Sequence, residues 1–191
     1  MRFTRLLSFF GCLLLVSGAA HAALIYQGVM TGANEVPANG SAATGFTSVL
    51  IDDNLMTVHV DWSGLTGGLA AAAHIHCCTP LGSNVGVAVG FAGFPAAASG
   101  VFEKSFDLLD AAIYTTGFLN GFGGGTAAGA RAALLAGLEG GSAYSNIHNA
   151  QFPGGEIRGI LTRTVDEPAV AWLLMAGCAA FVVMRRRTRS A

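Results

Sequence analysis

Four side chains that metals favour fall within five positions in the stretch His74-Ile75-His76-Cys77-Cys78, in a chain of 191 residues with five histidines and four cysteines. On a β-strand, residues two apart point to the same side, so His74 and His76 are expected to share a face with their ring nitrogens within reach of one ion. A third ligand is expected from His148, which shares a face with Asn146 if Ile147 points to the core, or from His59 if its strand is a neighbour. Imidazole ligation suits copper or zinc. The competing expectation is a polar or half-buried face whose imidazoles hydrogen-bond to carbonyls or to Glu156.

The cysteines add a second question. Neighbouring Cα atoms lie about 3.8 Å apart across a trans peptide, closer than the usual disulfide range of about 4.4–6.8 Å. A vicinal bridge and two thiols beside the turn at Thr79-Pro80 are both open. Alternation sends Cys77 inward as a small hydrophobe and Cys78 to the histidine face, where it is a weaker candidate ligand. Near the end of the chain, Glu156 and Arg158 are two apart, and an exposed pair of this kind contributes only about 0–1 kcal/mol. No Ser-His-Asp or paired-carboxylate pattern that would support hydrolysis stands out, and no catalytic residue is assigned.

The elements that must position these residues read mostly as short strands. Period-two alternation marks 24–32, 43–52, 55–65, 69–77, 85–91, 100–108, 142–150 and 155–163. Asp53-Asn54 joins the second and third as a hairpin. In the third, Met56, Val58, Val60 and Trp62 should face the core, and Thr57, His59 and Asp61 the solvent. Alanine and leucine at helical spacing predict two short helices over 108–119 and 126–138, separated by the glycine-rich 120–125. Gly154-Gly155 supplies a turn before the last strand. The class is therefore all-β with one or two short helices, folded as an antiparallel β-sandwich or Greek-key barrel.

Both ends look like addresses. Arg2 and Arg5, an apolar run over Leu6–Val16 and the small residues before Ala23 form a secretory signal over residues 1–22. At the other end Pro168 precedes an apolar stretch over 169–184 and then Arg185, Arg186, Arg187 and Arg189, a stop-transfer pattern. Its roughly 16 residues would span about 24 Å as a helix, short of the roughly 30 Å hydrocarbon core unless the arginines snorkel or the bilayer thins. Between the two, residues 23–164 carry four basic and nine acidic side chains, a balance of −5. An acidic domain without a basic cluster argues against nucleic acid as a partner.

Two resemblances follow from these residues. The order of Glu167-Pro168, one apolar helix and a basic end over residues 165–191 resembles the PEP-CTERM sorting signal of Gram-negative bacteria, with Asp166 where that signal usually has proline. It implies export, transient anchoring in the inner membrane through the 169–184 helix, a sorting protease as partner, and delivery to the cell surface or extracellular matrix. Gly32 with Glu35-Val36-Pro37, Ala73-His74-Ile75-His76, Tyr144 with Asn146-Ile147-His148, and Pro153-Gly154-Gly155-Glu156-Ile157-Arg158-Gly159 resemble the CHRD domain, placed at residues 23–164. Ala38 and Cys77 stand where that family commonly has proline and glycine. The resemblance implies an immunoglobulin-like or superoxide-dismutase-like sandwich and no established enzymatic activity.

The expected function is that of an exported, non-enzymatic surface or matrix module that contacts a surface protein or exopolysaccharide. The alternative is a metal-dependent periplasmic or surface enzyme built on His74, His76 and His148, with copper or zinc as its cofactor.

Overall fold

A computed structural model describes residues 23–164. The expected signal over 1–22 and the sorting segment over 165–191, with its 169–184 helix, lie outside the described residues. Among the described residues no helix is long and apolar enough to cross a membrane.

The strands are β1 (Leu24–Thr31), β2 (Thr44–Asp52), β3 (Leu55–Ser63), β4 (Ala72–Cys77), β5 (Val87–Gly90), β6 (Gly100–Asp107), β7 (Ala143–His148), β8 (Ile157–Ile160) and β9 (Thr162–Thr164). They form one antiparallel sheet in the order β5-β4-β7-β8-β1-β2-β3-β6, with β9 beside β1. The sheet curls into a half-barrel, so the all-β class with two short helices holds. β5 and β6 are its two margins.

Alternation explains the curl. Met56, Val58, Val60 and Trp62 of β3 are buried, while Thr57, His59 and Asp61 are partly exposed. Val49 and Ile51 of β2, Tyr26 and Met30 of β1, and Ile75 and Ile147 of β4 and β7 join them in a single cluster. One apolar face per strand, turned inward all along the sheet, removes the most apolar surface from water. The β2–β3 hairpin pairs from Thr44↔Ser63 to Asp52↔Leu55 across the expected turn, where Asp53 takes a positive φ of 51°.

Three expectations shift. The first helix does not run over 108–119. Asp107 and Asp110 accept hydrogen bonds from Leu109 and Ala112 N–H, which turns the chain tightly there. Tyr114 then donates its hydroxyl to the Leu108 carbonyl. The helix α1 (Thr116–Gly121) starts only after Thr115 caps Phe118 N–H. The last strand is two, β8 and β9, interrupted at the buried Leu161 with the register against β1 unchanged. The fourth strand begins at Ala72 rather than 69, leaving Leu69 exposed.

The second helix, α2 (Ala127–Glu139), closely follows its expected span and is capped by Thr126, whose hydroxyl accepts from Gly129 N–H. It buries Ala130, Leu134, Gly137 and Leu138, one helical stripe, against the sheet. Gly137 sits directly over Cys77 and Cys78, which are joined as a vicinal disulfide. A Cβ at position 137 would collide with both sulfurs. Gly137→Ala should therefore lower the unfolding free energy by about 1–3 kcal/mol through overpacking, read as a lower urea midpoint at unchanged slope.

Candidate metal centre

The outer face of the sheet over β4, β7 and β8 carries the chemistry. Pairing sets Ala72 opposite His148, His74 opposite Asn146, and His76 opposite Tyr144. Asn146 is in turn opposite Arg158 on β8. All these side chains therefore share one side, while Ala73, Ile75 and Ile147 take the other and enter the core. Ala72 offers no bulk, so His148 leans diagonally toward His74, with ring centroids 5.0 Å apart. His76 lies 5.6 Å from His74 and 6.0 Å from His148 by the same measure.

One ring nitrogen from each of His74, His76 and His148 lies within 4.8 Å of the other two. A tetrahedral ion with bonds of about 2.0–2.1 Å wants its nitrogens roughly 3.3–3.4 Å apart. An ion bound here would have to draw the three nitrogens closer than the 4.8 Å limit. Two tautomers are already set by carbonyls: His76 Nδ1 faces Val85 O at 2.7 Å and His148 Nδ1 faces Pro153 O at 3.0 Å. A carbonyl only accepts, so each neutral ring donates from Nδ1 and keeps a lone pair at Nε2. Outer-shell carbonyls of this kind orient metal-ligating imidazoles. His76 Nε2 and His74 Nδ1 are buried with no hydrogen-bond partner.

Electrostatics keep the rings neutral. Burial pushes the His74 imidazole down to about 4, and the neighbouring His148 and His76 push it further in the same direction. Burial also lowers His76, against the Val85 hydrogen bond, and lowers His148, against the Pro153 bond and with help from Arg158. Neutral imidazole is the ligating form.

Two loops cover this face, tied down by buried charge. Arg158 is 2 % exposed; its Nε and Nη2 donate to Glu35 Oε2 at 3.0 and 2.9 Å, and Nη2 also donates to Asn84 Oδ1 at 2.5 Å. Its guanidinium lies 3.9 Å from the centre of the Tyr144 ring, on which His76 also stacks at 4.7 Å. Asn84 donates to the Val36 carbonyl, so the loop holding Glu35 and the loop after Cys78 are joined to each other as well as to the sheet. Burial pushes the Glu35 carboxyl up, and Arg158 only partly offsets it. Beside His74 the surface opens into a groove of about 810 Å³ lined in part by Gly90, Phe94, Lys104 and Tyr114.

Several expected roles are redistributed. His59 lies between Asp61 and Glu103, at 3.7 and 3.5 Å, on a strand that does not neighbour β4, so it is not the third histidine. Cys78 is bonded to Cys77 and packs under α2, so it has no thiolate to offer. The bridge closes across a cis peptide with Cα atoms 3.1 Å apart, not across the trans spacing assumed from sequence. Glu156 and Arg158 are not an exposed pair and do not touch the histidines through hydrogen bonds. Glu156 is fully buried and accepts from Ser41 Oγ, Thr66 N and Oγ1, Gly67 N and Asn149 Nδ2. Burial pushes its carboxyl up, but the bonds from Ser41, Thr66 and Gly67 together outweigh that and hold it below the usual carboxylate range. Sequence reading missed Glu35 as the partner of Arg158 because the two are 123 residues apart. The exact pairing of β8 with β1 near Thr31, which brings them together, has no local signal.

Comparison with known protein families matches residues 26–161 to the CHRD domain. No curated protein and no solved structure matches the chain.

Arg158→Ala should destabilise the fold by about 3–5 kcal/mol, since it leaves Glu35 buried without its counter-charge. The paired change Glu35→Gln with Arg158→Met should recover most of that loss in the same denaturation series. Glu156, held below its unfolded value near 4.5, contributes stability that is complete above that pH and lost as pH falls through its folded value. Glu156→Gln should cost about 1–3 kcal/mol at pH 7 and remove this part of the acid-side slope, measured by urea midpoints at pH 7 and pH 3.5.

Proposed function

We propose that this chain, which belongs to the CHRD domain family, is an exported surface module whose outer sheet face holds one divalent transition-metal ion through His74, His76 and His148. The family match over residues 26–161 suggests an extracellular type of module. The observation that carries the metal reading is the convergence of three imidazole nitrogens within 4.8 Å, two of them in rings already held by backbone carbonyls. A polar face of purely structural histidines would not need to leave His74 Nδ1 and His76 Nε2 buried and unpaired. Zinc and copper are the ions that such a donor set takes most readily.

Export rests on the signal pattern over residues 1–22, and sorting to the surface or matrix of a Gram-negative bacterium rests on the PEP-CTERM-like order of parts over residues 165–191. In this reading the tail anchors the chain in the inner membrane until a sorting protease releases it. The module then acts by binding, with a surface protein or exopolysaccharide as its partner, and the groove beside His74 is the concave surface such a contact would use.

Metal analysis of the purified full chain should find one zinc or copper ion per chain after equilibration and desalting. His74→Ala and His76→Ala should each weaken binding in calorimetry by more than the roughly 10–100-fold that loss of an outer-shell partner costs. Ion content at background, or affinity unchanged in both variants, overturns the metal reading. Antibody accessibility on intact cells, lost when residues 165–191 are deleted, checks the sorting reading separately.

A further inference from the structure

The three-histidine cluster has a fourth donor beside it. Asn146 is 1 % exposed and lies on β7 directly opposite His74. Its amide nitrogen faces the Gly154 carbonyl at 3.4 Å, with the Glu35 carboxylate next to it over the bare Cα of Gly155. Both neighbours are acceptors, which fixes the orientation of the amide. Oδ1 is thereby turned toward His148 Nε2 at 2.9 Å.

That contact is unusual in its chemistry. His148 donates from Nδ1 to Pro153, so its Nε2 carries a lone pair, and Asn146 Oδ1 also carries lone pairs. His76 Nε2, a third lone pair, has the same Asn146 side chain beside it. Acceptors packed this closely, away from water, repel one another unless a cation stands among them.

We propose that Asn146 Oδ1 is the fourth ligand of the ion, completing a shell of His74, His76, His148 and Asn146. This rests on the three-histidine reading above. Four protein ligands fill a tetrahedral shell, the arrangement of structural rather than catalytic zinc sites. Three imidazoles, one amide oxygen and no thiolate also favour Zn2+ over soft cuprous copper. The ion then joins β4 to β7 on the outer face, adding a cross-link where the inner face is held by apolar packing.

The test uses the full chain, with Zn2+ for affinity and Co2+ for its visible ligand-field bands. Asn146→Leu, which keeps the shape and removes the donor, should bind Zn2+ at least about 10-fold more weakly and shift the Co2+ bands. Asn146→Asp, which puts a charged oxygen in the same place, should bind Zn2+ more tightly than the unaltered chain, retain one ion per chain, and raise the melting temperature at saturating Zn2+ as mass action requires. If both variants match the unaltered chain in affinity and spectrum, Asn146 is not a ligand although the histidines are. If the Asp variant weakens binding as the Leu variant does, Asn146 only positions His148, and the fourth-ligand assignment is overturned. If the unaltered chain binds neither ion, the three-histidine reading falls first and takes this one with it.

Discussion

A guanidinium removed from water must be surrounded by partners, and the architecture of the outer sheet face follows from how Arg158 meets that demand. Glu35 comes from the loop after β1, Asn84 and the Ser83 carbonyl from the loop after β4, and the Tyr144 ring from the neighbouring strand. The two loops thereby lay their own stretches of backbone over β7 and β8. The result is that these two strands are buried on both sides, which is uncommon for an antiparallel sheet with one apolar face.

The histidines inherit their environment from this cover. Without the loop after β4, His76 Nδ1 would face water instead of the Val85 carbonyl, and without the turn after β7, His148 would lose Pro153. The same cover strips hydration from the rings and keeps them neutral. Two energetically different layers therefore lie on the two faces of one strand. Ile147 contributes by leaving water, whereas His148 and Asn146 are positioned by donating to the Pro153 and Gly154 carbonyls.

Alternation is a local property, and whatever depended on it alone was legible in the residues. The core face of β3, the shared side of His74 and His76, and the orientation of His148 through Ile147 all follow from a period of two. Helix α2 was equally visible in the helical spacing of its alanines and leucines. What stayed hidden depended on which strands lie side by side. His59 and His148 are equivalent by alternation, and only the order of the sheet separates them. The company of Glu156 and Arg158 was hidden for the same reason, since Ser41, Thr66 and Glu35 reach them from loops far away in sequence. The start of α1 was misplaced because aspartate side chains compete with helix for the backbone N–H groups at Leu109 and Ala112.

The margin formed by β6 bears on how copies of the domain behave when they are packed together. Val101 on that strand is largely exposed, and a bare strand edge with apolar character is the usual template for fibre growth. Here Glu103 projects into solvent, and Lys104 folds back to donate to the Ala92 carbonyl. An incoming strand would have to bury the first charge and dislodge the second. The β6 margin is therefore a poor place for a second copy of the domain to add a strand.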